Sequence, residues 1–576
     1  MPSPQHQTAT PTAAPAPSSP RWDRFDALAL VVLAVVVAIP LRGLLRDHGA
    51  AMEEGFMLVF PEQVLHGQIP NRDFLHLYGP GSLWVLAGVY KVFGVSLATE
   101  RWFGLVQHLG IILGLYWVIR RWGRPIALLA ALTAVFINLN STGLSALAWN
   151  GAIAFGIWAV WALLQARETG ATKWLVASGA LVSMALLYRP DLILAMTLAT
   201  VVALWPLRWR RLLPLAWGLG VAAVGYAVHA AMAGPGHAIT GMFTDPVFTL
   251  REGRTLPMPP VWDHLVGYFQ KAAVLRTVGW PFPQIGMSQQ LWFWFWVTIL
   301  APLAVIAVAR WTRRRDPDAR RPAALLVLGV YGLGLLPQAL QRADQTHLAW
   351  VGVITIASLP AAVAQFFAVR PSEAPRWGPL RAPVAVAAGA IVFFAGVAPQ
   401  FTIRTYTDVA LQSIDRNVIG FPIERNGRNF YVPSPSIATS AQQLVDELDS
   451  RDPKPGQRLF VGPADLRYTP YTDAFFYYLY PELPPATYYI EMDPFDSGPE
   501  TRLASDVNSA DWVILTNVWN AWIEPNNSME PGSNVPNEII RRDFCKVGSW
   551  GLIPDYAGRD LPMYQLYERC KPRRPL

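Results

Sequence analysis

The sequence is short of charge. Only 15% of its 576 residues are Asp, Glu, Lys or Arg, against roughly 25% in an ordinary soluble globular domain. The deficit is uneven: it falls on residues 25–400, whereas residues 401–576 have the composition of a soluble domain. Cysteine is nearly absent too. Cys545 and Cys570 are the two that exist, both in the second part. With no CxxC pair, zinc-ribbon and thioredoxin-like motifs are excluded. The two form a disulfide if this part faces an oxidising space, and are separate thiols if it does not. The apolar part carries no Walker phosphate loop and no glycine-rich dinucleotide fingerprint. A net charge of +7 does not imply a nucleic-acid partner, because the arginines sit in short loops between apolar runs, where membrane topology uses them.

Residues 1–24 open with MPSPQHQTATPTAAPAPSSP. Such a stretch cannot bury a core and is expected to be disordered. It lacks the basic-then-apolar order of a cleavable signal. Beyond it lie long apolar runs, and about 20 apolar residues suffice to cross a bilayer. Eleven spans are expected, near 26–46, 100–119, 125–143, 148–166, 174–188, 192–206, 212–232, 290–309, 323–340, 348–368 and 382–400.

The loops between them alternate in character. Arg120–Arg124, Arg167–Lys173, Arg208–Arg211, Arg310–Arg321 and Arg370–Arg381 are basic. The others are longer or richer in acids, His, Gly and Pro. Lys and Arg stay on the cytoplasmic side. The reading is therefore a polytopic α-helical membrane protein with a cytoplasmic N-terminus (1–24) and a transmembrane domain (25–400). A soluble α/β domain (401–576) follows outside. In the tail, Arg458–Gly462, Asp511–Thr516 and Tyr564–Arg569 read as strands and Gln442–Leu448 as an amphipathic helix.

Four polar features then share the outer face with the tail: loop 47–99, the corner Tyr188–Asp191, loop 233–289 and the corner Pro337–His347. In the first, Glu53 and Glu54 adjoin just past a span. A partly desolvated carboxylate there suits a general base. The plainer reading is an acidic pair at a helix start. In the last corner, Arg342 has the planar, permanently charged fork that suits phosphate, His347 can donate to the same group, and Asp344 can orient either. Gln338 lies on the same helix end. Arg189 and Asp191 flank Pro190 and either pair only with each other or reach the same cleft. Asp73, beside Arg72, either fixes the loop or touches a substrate hydroxyl. Asn138, Asn140 and Asn150 suit interhelical hydrogen bonds.

The order Glu53-Glu54-Gly55, then Gly67-Gln68-Ile69-Pro70, Arg72-Asp73-Phe74 and Gly79-Pro80-Gly81 resembles the GT-C glycosyltransferase superfamily. It is most similar to the first outer loop of the protein O-mannosyltransferase and aminoarabinose transferase branch. There the acidic pair is usually Asp-Glu, with the leading acid as base; here it is Glu-Glu, which leaves open which carboxylate acts. The resemblance implies inverting transfer of a sugar from a polyprenyl-phosphate donor to an extracytoplasmic glycan, lipid or protein. It also implies a lipid-phosphate contact by a basic residue at an outer helix end, a role that Arg342, His347 and Arg189 fit. The sugar is open between mannose, arabinose and others, and a divalent metal is left open. A transporter or flippase of a lipid-linked sugar is the alternative, although no internal repeat is visible.

Overall fold

The computed structural model describes residues 24–49, 52–139, 143–258, 287–369 and 403–575, except 317, 470–471, 493–495, 520–525, 527–529 and 556–557, and adds positions 387 and 390. With so little charge available, the apolar part satisfies its backbone internally as helices. These are α1 (Arg24–Leu44), α2 (Glu53–Leu65), α3 (Gly81–Phe93), α4 (Leu97–Ile119), α5 (Arg124–Ala134), α6 (Ala148–Thr169) and α7 (Thr172–Tyr188). After them come α8 (Ile193–Leu204), α9 (Trp209–Ala233), α10 (Met287–Thr312), α11 (Arg320–Gln341) and α12 (Gln345–Ala368). Each expected span up to 348–368 coincides with one of them.

Among the described residues, seven helices are long and apolar enough to cross a membrane, not eleven. The expected spans 125–143, 174–188 and 192–206 correspond to shorter apolar helices, Arg124–Leu139, Thr172–Tyr188 and Pro190–Leu204. The 17 residues of α7 cover only about 26 Å at 1.5 Å each, less than a typical hydrocarbon core. The expected span 382–400 lies outside the described residues apart from isolated positions.

Close packing uses small residues, as bilayer helices do. α7 and α9 meet at Gly179 and Gly218, where a Cβ would come within 2.2 Å of Leu215 O and 2.3 Å of Val176 O. At one end of the bundle the basic loops interlock: Arg121 pairs with Glu168 at 2.8 Å, Arg321 donates to Arg121 O at 2.9 Å, and Arg120 pairs with Asp26. The tail, loop 66–80 and the corner at Arg189 are joined by hydrogen bonds at another end.

The tail begins with α13 (Ile403–Ser413) and a hairpin of β1 (Phe421–Arg425) and β2 (Arg428–Val432). Asn426 and Gly427 both have positive φ, 48° and 80°, the geometry that an Asn-Gly hairpin turn requires. A four-stranded sheet follows, in the order β3 (Leu459–Pro463), β4 (Trp512–Thr516), β6 (Asp560–Arg569), β5 (Phe544–Pro554). The β3–β4 pair is parallel and the rest antiparallel. Helix α14 (Pro435–Ser450) packs against the sheet, with α15 (Phe475–Leu479), α16 (Leu503–Ser509) and α17 (Val535–Asp543) completing the unit. The three expected strands are present. The hairpin and β5 add to the expected strands; burial along β5 does not alternate cleanly. Cys545 and Cys570 are joined as a disulfide, which settles the open pairing.

Behind this sheet Asp473 is fully enclosed, with Trp519 Nε1 donating to it at 2.9 Å. Burial raises its carboxyl to about 6, above the ordinary value near 3.9 that it takes when unfolded. The folded state therefore binds this proton more tightly. The stability contributed by protonation is present below about pH 4 and is lost as pH rises to 6, a swing of about 3 kcal/mol. Asp473→Asn is expected to raise Tm at pH 7.5 and not at pH 4. A variant curve that runs parallel to the parent across this range overturns the assignment.

Candidate functional site

The acidic pair opens α2, a helix too short to span. Successive residues on a helix point about 100° apart, so the two carboxylates face different surroundings. Glu54 turns into the bundle and forms a bidentate pair with Arg101 of α4. Nε and Nη2 reach its two oxygens at 2.8 Å each, and both side chains are 2% exposed. Arg101 also donates to Leu44 O at the end of α1. Glu54 is thus committed to holding α1, α2 and α4 together. Glu53 is half-buried and does not share that pair. Nothing in the sequence pointed to Arg101, because its partner lies 47 residues away.

Gly55 follows for a steric reason. A Cβ there would lie 2.8 Å from the backbone N of Phe475, so the motif glycine lets the tail approach the helix. Farther along, Asp73 accepts from Ile69 N at 2.7 Å and pairs with Arg72 at 2.8 Å. The Arg72 hydrogen bond outweighs burial and holds Asp73 below the ordinary carboxylate range. It fixes the loop, one of the two roles anticipated for it. Gly79 and Gly81 lie against Leu187, where a Cβ at 79 would come within 2.1 Å of Leu187 O. The Gly-Pro-Gly motif thereby seats Tyr78 against the corner that carries Arg189.

Arg189 does pair with Asp191, at 2.7 Å. It is also enclosed between two rings, 4.1 Å from the centroid of Tyr78 and 4.3 Å from that of Trp149. Trp149 stacks on Trp350 at 5.5 Å, and His347 meets Trp350 edge-on at 5.2 Å. Asp344 caps α12 by accepting His347 N–H at 2.9 Å; it also bonds the His347 ring at 2.9 Å and Arg342 Nε at 3.2 Å. Burial alone would raise Asp344, but His347 and Arg342 hold it well below the usual range. The two anticipated corners are therefore one cluster, joined by a tryptophan stack. Gln338 stands one turn before Arg342, whose N–H its carbonyl accepts at 3.0 Å.

A chain of rings links this cluster to α2. Phe60 stacks on Phe74 at 4.9 Å, His76 meets Phe60 at 5.7 Å and Tyr78 at 5.6 Å, and Tyr78 lies under Arg189. Burial lowers the His76 imidazole to about 3. Sequence reasoning missed Arg254 as a site residue. Its carbonyl accepts from Arg342 Nη1 at 3.2 Å and its guanidinium lies 3.9 Å from Glu491 of the tail. Arg189 and Arg254 thus flank Tyr78 and Arg342 reaches the Arg254 carbonyl, each of the three with a carboxylate neighbour. Among the described residues no group of three or more His, Cys, Asp or Glu side chains converges as a metal site. Asn150 bonds Ser145 O and Trp350, and Asn138 meets His108 at 2.9 Å. Both are the interhelical links expected; Asn140 lies outside the described residues.

Residues 78–232, from the Gly-Pro-Gly corner to the end of α9, match the family of dolichyl-phosphate-mannose-protein mannosyltransferases. The fold is that of the apo crystal structure of ArnT from Cupriavidus metallidurans, with a TM-score of 0.52 at 14% identity, covering 94% of this chain and 98% of that one. The chain thus resembles these transferases over residues 78–232 and, in fold, over most of its length. The same ArnT bound to undecaprenyl phosphate aligns at a TM-score of 0.48 and 13% identity, over 94% of this chain and 98% of that one. The archaeal oligosaccharyltransferase AglB from Archaeoglobus fulgidus, in complex with an inhibitory peptide and a dolichol-phosphate, aligns at 0.45 and 12% identity, over 96% of this chain and 76% of that one. No curated protein sequence matches. The family match begins after the acidic pair and ends before Arg342, so it covers the Arg189 half of the cluster and neither Glu53 nor the Arg342 corner.

Proposed function

We propose that this GT-C enzyme moves a sugar from a polyprenyl-phosphate donor to an acceptor on the extracytoplasmic side, with inversion at the anomeric carbon. Glu53 is the general base. It removes the proton of the acceptor hydroxyl, whose oxygen attacks the anomeric carbon as the bond to the phosphate oxygen breaks. The observation that carries this reading is the division of the acidic pair: Glu54 is bound bidentately to Arg101 inside the bundle, whereas Glu53 is half-buried and faces different surroundings at the start of the same helix.

Arg189, Arg342 and His347 hold the departing phosphate. The Tyr78–Trp149 enclosure orients the Arg189 guanidinium, and Asp344 orients His347. Asp191, Asp344 and Gln338 keep these groups in place, while Asp73 fixes the loop that precedes Tyr78. No nucleotide site is needed, because the lipid phosphate is itself the leaving group. A donor whose phosphate lies at the membrane surface is consistent with the name of the matching family. The alternation of basic loops supports a cytoplasmic side for residues 1–24 and an outer side for the tail. The acceptor is a glycan, lipid or protein of the cell envelope.

The test is direct. Purified protein is given a radiolabelled polyprenyl-phosphate sugar, and bound donor and transferred product are measured separately. Product formation supports the enzyme; movement of intact donor across a vesicle without product would mean a flippase. Arg189→Lys keeps the charge but loses the planar stack between two rings. It is expected to weaken donor binding about tenfold, given ~1–2 kcal/mol for an enclosed cation–π contact. Unchanged donor affinity in this variant would remove Arg189 from the phosphate site.

A further inference from the structure

The mechanism proposed above uses the transmembrane part and leaves the tail without a task. Its contacts with α2 supply one. Met52 at the start of α2 makes no side-chain cap, and Pro61 sits inside the helix. A 13-residue helix has little stability of its own in water, so its position is set by what it touches.

It is anchored by a bidentate ion pair near each end. At its start Glu54 takes Arg101. Toward its end Glu62 takes Arg428 of β2, with contacts of 2.6 and 2.8 Å, and Glu62 is 8% exposed. The first anchor comes from the membrane bundle and the second from the tail. Arg428 is itself fixed: its guanidinium donates to Tyr478 O at 2.7 Å and lies 4.8 Å from the Tyr478 ring, and Tyr478 OH accepts from Leu97 N at 3.2 Å. The Asn-Gly turn that brings Arg428 next to Arg425 sends the latter elsewhere, to Asp449 and Glu482 within the tail.

Between the anchors, α2 and the tail share one apolar core. It contains Phe56 and Phe60 of α2 and Phe430, Phe475 and Phe476 of the tail, with Phe430 and Phe475 stacked at 4.7 Å. The tail also grips the loop after α2, where Leu75 N donates to Tyr488 O at 2.8 Å and Tyr488 OH to Asn71 O at 3.0 Å.

We propose that the tail is the clamp that sets the catalytic geometry, and that Arg428 is a positioning residue acting through Glu62 on the helix that presents Glu53. The proposal rests on Glu53 being the base. Arg428 touches no reacting atom; removing it lets α2 shift against the bundle while the Arg189–Arg342 cluster, which Arg428 does not contact, keeps its grip on the donor. A displacement of about 1 Å at a reacting group can cost on the order of 100-fold in rate.

The experiment uses the full chain in detergent or nanodiscs. Arg428→Met and Glu62→Gln are each expected to lower kcat about 10- to 100-fold with donor Kd unchanged. The exchange Arg428→Glu with Glu62→Arg is expected to recover part of the loss, since it restores the pair with its charges reversed. Gly55→Ala offers a second route: it pushes α2 off Phe475 without touching a charge and is expected to give the same kcat-selective loss. Single variants with parental kcat overturn the clamp, as does a fall in donor binding equal to the fall in rate. Glu53→Gln run in parallel separates the two ideas. If it is inactive while Arg428→Met is normal, only the clamp fails; if it is active, the base assignment fails by itself.

Discussion

Glu53→Gln is expected to reduce sugar transfer by about 1,000-fold, within the range that a positioned general base contributes, while donor binding and Tm stay at parental values. The amide has the carboxylate's shape and cannot take the proton. Glu53 begins α2 and is half-buried, outside the fully buried Glu54–Arg101 pair. Initial rates with a labelled donor and a saturating acceptor measure the first effect, and thermal unfolding in the same detergent measures the second. Activity within tenfold of the parent would put the base elsewhere.

Glu54→Gln and Arg101→Met fail in the opposite way. Each strands a charge, or its partner, at a site 2% exposed. Breaking a buried ion pair from one side costs about 3–5 kcal/mol, and here the pair ties α1, α2 and α4 through Leu44 O as well. Both variants are expected to be poorly expressed or to unfold many degrees earlier, with whatever folds still binding donor. Replacing both residues together, Glu54→Leu with Arg101→Met, should recover much of the stability, because an apolar pair removes the uncompensated charge. If Glu54→Gln is instead stable and inactive, the two glutamates have exchanged roles. The contrast between the variants is the sharpest check available, since adjacent residues of one type are predicted to differ in the kind of damage and not only its size.

The loop motif looks different once each member has a contact. The sequence left open which of Glu53 and Glu54 acts, and Arg101 is where the two part. Gly55 was part of a pattern, and it is where the tail's Phe475 backbone touches α2. Arg72-Asp73 ties the loop to Ile69 N. Gly79-Pro80-Gly81 is where Tyr78 is set beside Arg189. In the same way, Arg189 with Asp191 and Arg342 with His347 were read as two outer corners. Trp149 and Trp350 join them, and neither tryptophan stood out in a chain with 24 of them.

What the sequence determined by itself is what depends on neighbours along the chain. Apolar runs became helices at the expected places, basic loops 120–124, 167–173 and 310–321 meet at one end, and the acidic–acidic–glycine loop marked the helix from which the proposed base is drawn. Three tail strands and the composition break at residue 400 were legible for the same local reason. The tertiary structure decided what depends on partners far apart in sequence. Glu54 was separated from Glu53 by an arginine 47 residues on, and Arg254 entered the cluster through a contact across 88. Glu62 was joined to the tail across 366. Periodicity and charge runs carry no record of such pairings, because a buried carboxylate and a reactive one have the same letter, and only the packed surroundings distinguish them.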